Sequence, residues 1–189
     1  MKRKWKLWMI AFVVFVMTDI MMQSNRAEAK KRTFTVSSKT IPCSSSYRQK
    51  PYYNKKTKQY YMINSYMRRL STTGGTLKLK KGTYKIPGTI YVPSNVKIVC
   101  ANGVKIKKTK ATGTKKVKST KFLFQMISEE KASGKQNTGK YAASKNASIQ
   151  GNGKVIFDMG NVNGATAVFV GHASGITVLS LIHISEPTR

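Results

Sequence analysis

The stretch GGTLKLKKGTYKIPGTIYVPSNVKI, residues 74–98, limits the possible folds more than any other feature of the chain. Leu77 and Leu79 alternate with Lys78 and Lys80, Val96 and Ile98 flank Lys97, and Val104 and Ile106 flank Lys105. Ile90 and Val92 keep the same spacing. Successive side chains of a strand point to opposite faces, so this pattern predicts short strands with one buried and one wet face. Gly82, Pro87-Gly88, Pro93-Ser94-Asn95 and Asn102-Gly103 break the runs as turns. Further strands are predicted over 122–127, 147–150, 154–157, 167–170 and 176–178.

Before the strands the period is helical. In QYYMINSYMRRLSTTGG, Ile63, Met67 and Leu70 fall at i, i+4 and i+7, and Gly74-Gly75 supplies a stop. A hairpin meander would produce the same strand alternation, but internal repetition favours stacking. SNVKIVCANGVKI (94–106) resembles KNASIQGNGKVIF (145–157), and ASGITV (173–178) opens the motif a third time. Irregularly spaced copies of one strand–turn–strand unit predict parallel strands stacked as a solenoid, with the amphipathic helix covering its first layer. The polar, turn-rich segments 107–121 and 129–145 are expected to project as loops, and 30–58 to form an irregular polar arm.

The two ends fall outside this fold. Lys2, Arg3, Lys4 and Lys6 precede an apolar run, and Ala27-Glu28-Ala29 supplies a cleavage pattern, so residues 1–29 are expected to be a secretory signal peptide. The competing reading, a membrane anchor, needs about 20 apolar residues, and Asp19 interrupts the run. At the other end, LSLIHISEPTR (179–189) matches the translation of a transposase adapter used to prepare sequencing libraries, and is expected to be an artefact that ends an N-terminal fragment. A genuine terminal strand is the alternative, since SLIHI alternates acceptably.

Charge then indicates a partner. Of 35 basic residues five lie in the leader and one in the tail; of 6 acids three lie in those ends, leaving about +26 on residues 30–178. A field of that size attracts polyanions, and secretion favours acidic polysaccharide or an anionic cell-wall polymer over nucleic acid. The alternative is a solvated surface with no specific partner. No membrane span is expected after leader cleavage, and the oligomeric state is open. Cys43 and Cys100 allow one disulfide at most, while Cys100 shares the parity of Val96 and Ile98 and is expected to point into the core.

The strand motifs together resemble a known family. GGTLKLKKGTYKIPGTIYVPSNVKIVCANGVKIKKT, ASIQGNGKVIFD and AVFVGHASGITV look like the opening coils of pectate-lyase-like right-handed parallel β-helix proteins, nearest the polygalacturonase-like branch. The resemblance covers residues 60–178. It implies an all-β, right-handed parallel β-helix, N-terminal coils only, with a short capping helix, in residues 59–178 of a secreted or cell-surface protein. It also implies a protein acting on acidic polysaccharide as hydrolase or lyase, or a non-catalytic adhesin or wall-polymer binder.

Catalytic residues are not assigned within this segment, nor is a cofactor or metal ligand. Glycoside hydrolysis needs carboxylates set across the scissile bond. Between the ends, the chain has only the adjacent Glu129 and Glu130 and the solitary Asp158. His172, in GHAS, lacks the second glycine of a Gly-His-Gly motif and reads as a turn residue. GKQNTGKY (134–141) approaches a phosphate-binding loop, but Tyr141 stands where a small hydroxyl residue is needed. Asn146-Ala147-Ser148 matches a glycosylation sequon by pattern alone. The tyrosine- and lysine-rich stretch 46–61 could stack on sugar rings or bases, or pack against the helix.

Overall fold

In the computed structural model, residues 32–115, 117–134, 143–160 and 162–179 are described, together with the backbone of 183–185. The alternating segments form strands as their periodicity demands. These are β1 (Arg32–Val36), β2 (Gly75–Leu79), β3 (Gly82–Ile86), β4 (Ile90–Tyr91), β5 (Val96–Cys100) and β6 (Val104–Lys108). After them come β7 (Phe122–Gln125), β8 (Ser148–Gly151), β9 (Val155–Asp158), β10 (Thr166–Phe169), β11 (Thr177–Leu179) and β12 (His183–Ser185). Three helices lie among the described residues: α1 (Ser45–Arg48), α2 (Lys58–Leu70) and α3 (Glu129–Ser133).

The strands make three sheets, ordered β1-β2-β5-β8-β11, β10-β7-β4 and β12-β9-β6-β3. All pairings are parallel, so the hairpin alternative does not hold. Register places like on like. Leu77 pairs with Ile98 and Ile98 with Ile149; Tyr84 pairs with Ile106 and Ile106 with Phe157. All six side chains are fully buried.

The expected fold class is corrected. The chain is not an all-β, right-handed parallel β-helix with a short helix as its lid; it combines three short parallel sheets with three helices and has mixed α/β character. The 13-residue α2 is the decisive element. Met62, Ile63, Met67 and Leu70 are at most 2% exposed and belong to the same cluster as the strand core. Their physical source is visible in the sequence: Met62 widens the Ile63–Met67–Leu70 stripe into a face broad enough to be a wall of the core.

The stretch 30–58, read as an irregular arm, carries structure as well. Residues RTFTV form β1, paired residue for residue with β2, and bury Val36. The segment read as a foreign tail contributes Leu179 to β11 and residues 183–185 to β12, which lies beside β9. The leader, residues 1–29, lies outside the described residues. No helix among the described residues is long and apolar enough to cross a membrane.

Two devices hold the strands in register. The first is a left-handed corner ahead of the largest sheet. Gly74, Asn95, Asn146 and Gly175 have φ of 66°, 59°, 53° and 61°. Each precedes a strand of that sheet, and the pairings place the four in line. Only Gly, and Asn among side-chain-bearing residues, visits this conformation readily. At Gly74 a Cβ would also come within 2.8 Å of Asn95 O.

The second device closes the edges of β3 and β4, which end their sheets on the α2 side. Asn64 Nδ2 donates to Thr89 O at 3.0 Å, and its Oδ1 accepts from Tyr91 N at 3.1 Å. Gln59 Oε1 accepts from Lys85 N at 2.6 Å, and its Nε2 donates to Thr83 O at 3.3 Å. Each carboxamide therefore binds the carbonyl before and the amide after one strand residue, as a neighbouring parallel strand would. Asn64 is 2% exposed, so nothing else is available to satisfy those groups. Replacing Asn64→Ala is expected to lower unfolding free energy by about 1–3 kcal/mol, and Gln59→Ala by less because its bonds face solvent. Urea denaturation of the two variants measures both.

Candidate anion-binding face

The outward face of the β3–β6–β9 sheet carries a cluster of lysines. Pairing sets Thr83 beside Lys105 and Ile156, and Lys85 beside Lys107 and Asp158. Neighbouring strands lie about 4.8 Å apart and alternate residues along a strand about 6.6 Å apart, so Lys85, Lys105 and Lys107 form one cluster on a rigid surface. Lys81 and Lys154 stand exposed at the strand starts, and Lys110 beyond the end of β6. The sheet creates this face directly: the lysines occupy the wet positions of the alternation that buries Val104, Ile106 and Tyr84.

One carboxylate answers these lysines. Asp158 Oδ2 lies 2.9 Å from Lys105 Nζ and 3.8 Å from Lys107 Nζ. Its side chain also accepts from the Gly160 amide at 3.2 Å. The Lys105 hydrogen bond, followed by the Gly160 amide and the nearby positive charges, holds the Asp158 carboxyl below its ordinary range. Beyond the strand ends a recess of about 480 Å³ is lined by Thr109, Lys110, Ala111, Gly160 and Asn163.

Behind this face lies a lysine whose role was misread in the sequence. Segment 107–121 was expected to be loop throughout, yet Lys107 and Lys108 complete β6, and Lys108 is 0% exposed. Its Nζ donates to Gly88 O, to Phe122 O at 2.7 Å and to Thr120 Oγ1 at 3.0 Å. The ammonium thus ties the β3–β4 corner to the start of β7, across the long loop. Burial pushes its pKa down to about 7. A parity signal was available, since Lys108 continues the inward positions of Val104 and Ile106.

The remaining candidates are dispersed. Glu129 and Glu130 open α3 instead of lying in a loop. Glu129 accepts from the Tyr47 hydroxyl and lies 3.7 Å from Lys50, whereas Glu130 lies 3.5 Å from Arg68. His172 is exposed at φ 55°, with its carbonyl accepting from Ala143 N. Asn146 is an exposed corner residue, so the sequon starts ahead of β8 and not within a strand. Gly134 is exposed, and the rest of GKQNTGKY lies outside the described residues.

Of the tyrosines of 46–61, Tyr47 and Tyr61 pack inward, whereas Tyr52, Tyr53 and Tyr60 are half-buried. Tyr47 and Tyr61 are 3% and 6% exposed, with rings 6.3 Å apart and Lys50 over both. Cys43 and Cys100 are both free; Cys100 is fully buried, which pushes its thiol up to about 12. No group of three or more His, Cys, Asp or Glu able to hold a metal occurs among the described residues.

Comparison with known proteins adds no relative: no family model matches the chain, nor does a curated protein or a solved structure.

Two pH dependences follow. Folded Lys108 releases its proton near pH 7, but the unfolded chain keeps it to about 10.5. Between these values the unfolded state binds more protons, so Lys108 makes stability rise with pH from about 7 upward. Chemical denaturation between pH 6 and 9.5 is expected to show that rise in the native protein and its loss in Lys108→Met. Asp158 acts in the opposite range: its lowered carboxyl adds stability above the ordinary 3.8 and loses it as pH falls through the folded value. Asp158→Asn is therefore expected to be the less stable protein at pH 6, with the difference shrinking as pH falls below 3.8, as read from thermal midpoints.

Proposed function

We propose that the protein binds an acidic polysaccharide outside the cell through the lysine face of the β3–β6–β9 sheet, and acts as a binding module instead of cleaving the polymer. The observation that carries this reading is the pairing of Lys85 with Lys107, with Lys105 on the same face. Like charges at that separation repel, and among the described residues only Asp158 lies among them to relieve it. A polymer with regularly repeated carboxylates relieves the repulsion further while leaving the sheet unchanged.

Two features favour a glycan over nucleic acid. The leader pattern in residues 1–29 suggests export. Tyr47 and Tyr61, two of the five tyrosines of 46–61 that could have stacked on bases, are committed to internal packing. The carboxylates favour binding over hydrolysis: Glu129 and Glu130 are neighbours on α3, Asp158 is on β9, and each is engaged by a cation.

Titrating the protein with polygalacturonate and with a neutral glucan tests the reading. Binding is expected for the acidic polymer alone, and it should weaken steeply as salt shortens the screening length. The triple variant Lys85→Gln/Lys105→Gln/Lys107→Gln should lose affinity about tenfold or more. An equal reduction of charge at Lys78, Lys80 and Lys97 should cost much less. Equal losses in the two triples would remove the face from the explanation, and absence of binding at low salt would remove the function.

A further inference from the structure

Three Asn-Gly dipeptides lie on the described surface, in different surroundings. They are Asn102-Gly103, Asn152-Gly153 and Asn163-Gly164, with glycine φ of 81°, 87° and 65°. All three asparagines are exposed. We propose that Asn163 is a site of spontaneous deamidation, whereas Asn102 is kept unreactive by the strand start stacked on it.

The chemistry requires the glycine amide nitrogen to attack the asparagine side-chain carbon. A bond forms between that nitrogen and Cγ, the Cγ–Nδ2 bond breaks, and ammonia leaves, giving a five-membered succinimide. Water then opens the ring at either carbonyl. The products are aspartate, or isoaspartate with the main chain routed through Cβ. Overall, one asparagine and one water become one acid and one ammonia, with no change of oxidation state. Glycine is the favourable neighbour because no side chain shields its nitrogen.

At Asn102 both reacting groups are engaged by a single residue. The Lys154 amide donates to Asn102 Oδ1 at 2.8 Å, and the Gly103 amide donates to the Lys154 carbonyl at 2.8 Å. The carboxamide also rests on Gly153, where a Cβ would come within 2.8 Å of Oδ1. Turning the Gly103 nitrogen toward Cγ therefore breaks a strand-to-strand hydrogen bond and displaces the packed carboxamide.

Neither constraint recurs among the described residues at Asn163. Asn163-Gly164 forms the middle of a turn closed by Ala165 N donating to Val162 O at 3.1 Å. Around Gly164 nothing lies within 4 Å of where a Cβ would stand. Each conversion adds a negative charge, and Asn163 lines the recess that Lys110 borders. The modification does not depend on the polysaccharide reading.

Peptide mapping decides the matter. The purified protein is incubated at pH 8.5 and 37 °C, folded or in concentrated urea, then digested with trypsin, which places the three asparagines in separate peptides. Mass spectrometry scores the one-dalton gain and the aspartate–isoaspartate pair. Asn163 is expected to convert several-fold faster than Asn102 in the folded protein, with the two rates converging in urea. Asn102 reacting as fast as Asn163 in the folded protein would overturn the proposal. So would the same rate order in urea, which would assign the difference to local sequence and not to the fold.

Discussion

Two side-chain amides carry out a task usually left to a strand. A parallel sheet that ends beside a helix presents unpaired backbone groups, and burying them unpaired costs more than most packing gains return. Asn64 and Gln59 meet that requirement by presenting, from one helix, the donor–acceptor pair that a neighbouring backbone would offer. This allows α2 to lie directly on the sheet edges and contribute Met62, Ile63, Met67 and Leu70 to the common core. The mixed α/β character follows from the same contacts, since the helix is hydrogen-bonded into the sheets as well as packed against them.

Register propagates from that edge. Parallel strands paired residue for residue keep Leu77, Ile98 and Ile149 in line only if each chain segment enters its strand at the same angle. The left-handed residues Gly74, Asn95, Asn146 and Gly175 set that angle. Lys108 performs a comparable task where the 109–121 loop returns to β7, tying Gly88 to Phe122. A buried ammonium held by two carbonyls and a hydroxyl is a costly staple, and its depressed pKa reflects that cost. Because the strands are fixed from within, their outer faces are free to carry charge, and the lysines of β3 and β6 are held there at sheet spacing.

Much of the strand pattern was legible in the residues. Alternation located β2, β4, β5 and β6, though not β3, whose Gly82 was read as a turn, and the likeness of SNVKI, KNASI and ASGIT marked corners that the structure places in line. Parity correctly turned Cys100 inward. The failures have identifiable causes. RTFTV is short and polar enough to pass for an arm, and only its pairing with β2 shows it to be a strand. The charge on Lys108 outweighed its parity, which hid both the end of β6 and the staple. The fold class was misjudged because α2 was weighed by its length, whereas its carboxamides and its broad apolar face set its importance. Nothing in the periodicity could reveal that Lys85 lies beside Lys107, because that depends on which strands become neighbours.

The carboxamide seals also give the assembly a direction. A stray strand approaching β3 or β4 from the helix side finds the hydrogen-bonding groups of Thr83, Lys85, Thr89 and Tyr91 already occupied. Two of the three sheets therefore grow one way only, which guards a protein rich in short, flat strands against templating its own aggregation on that flank.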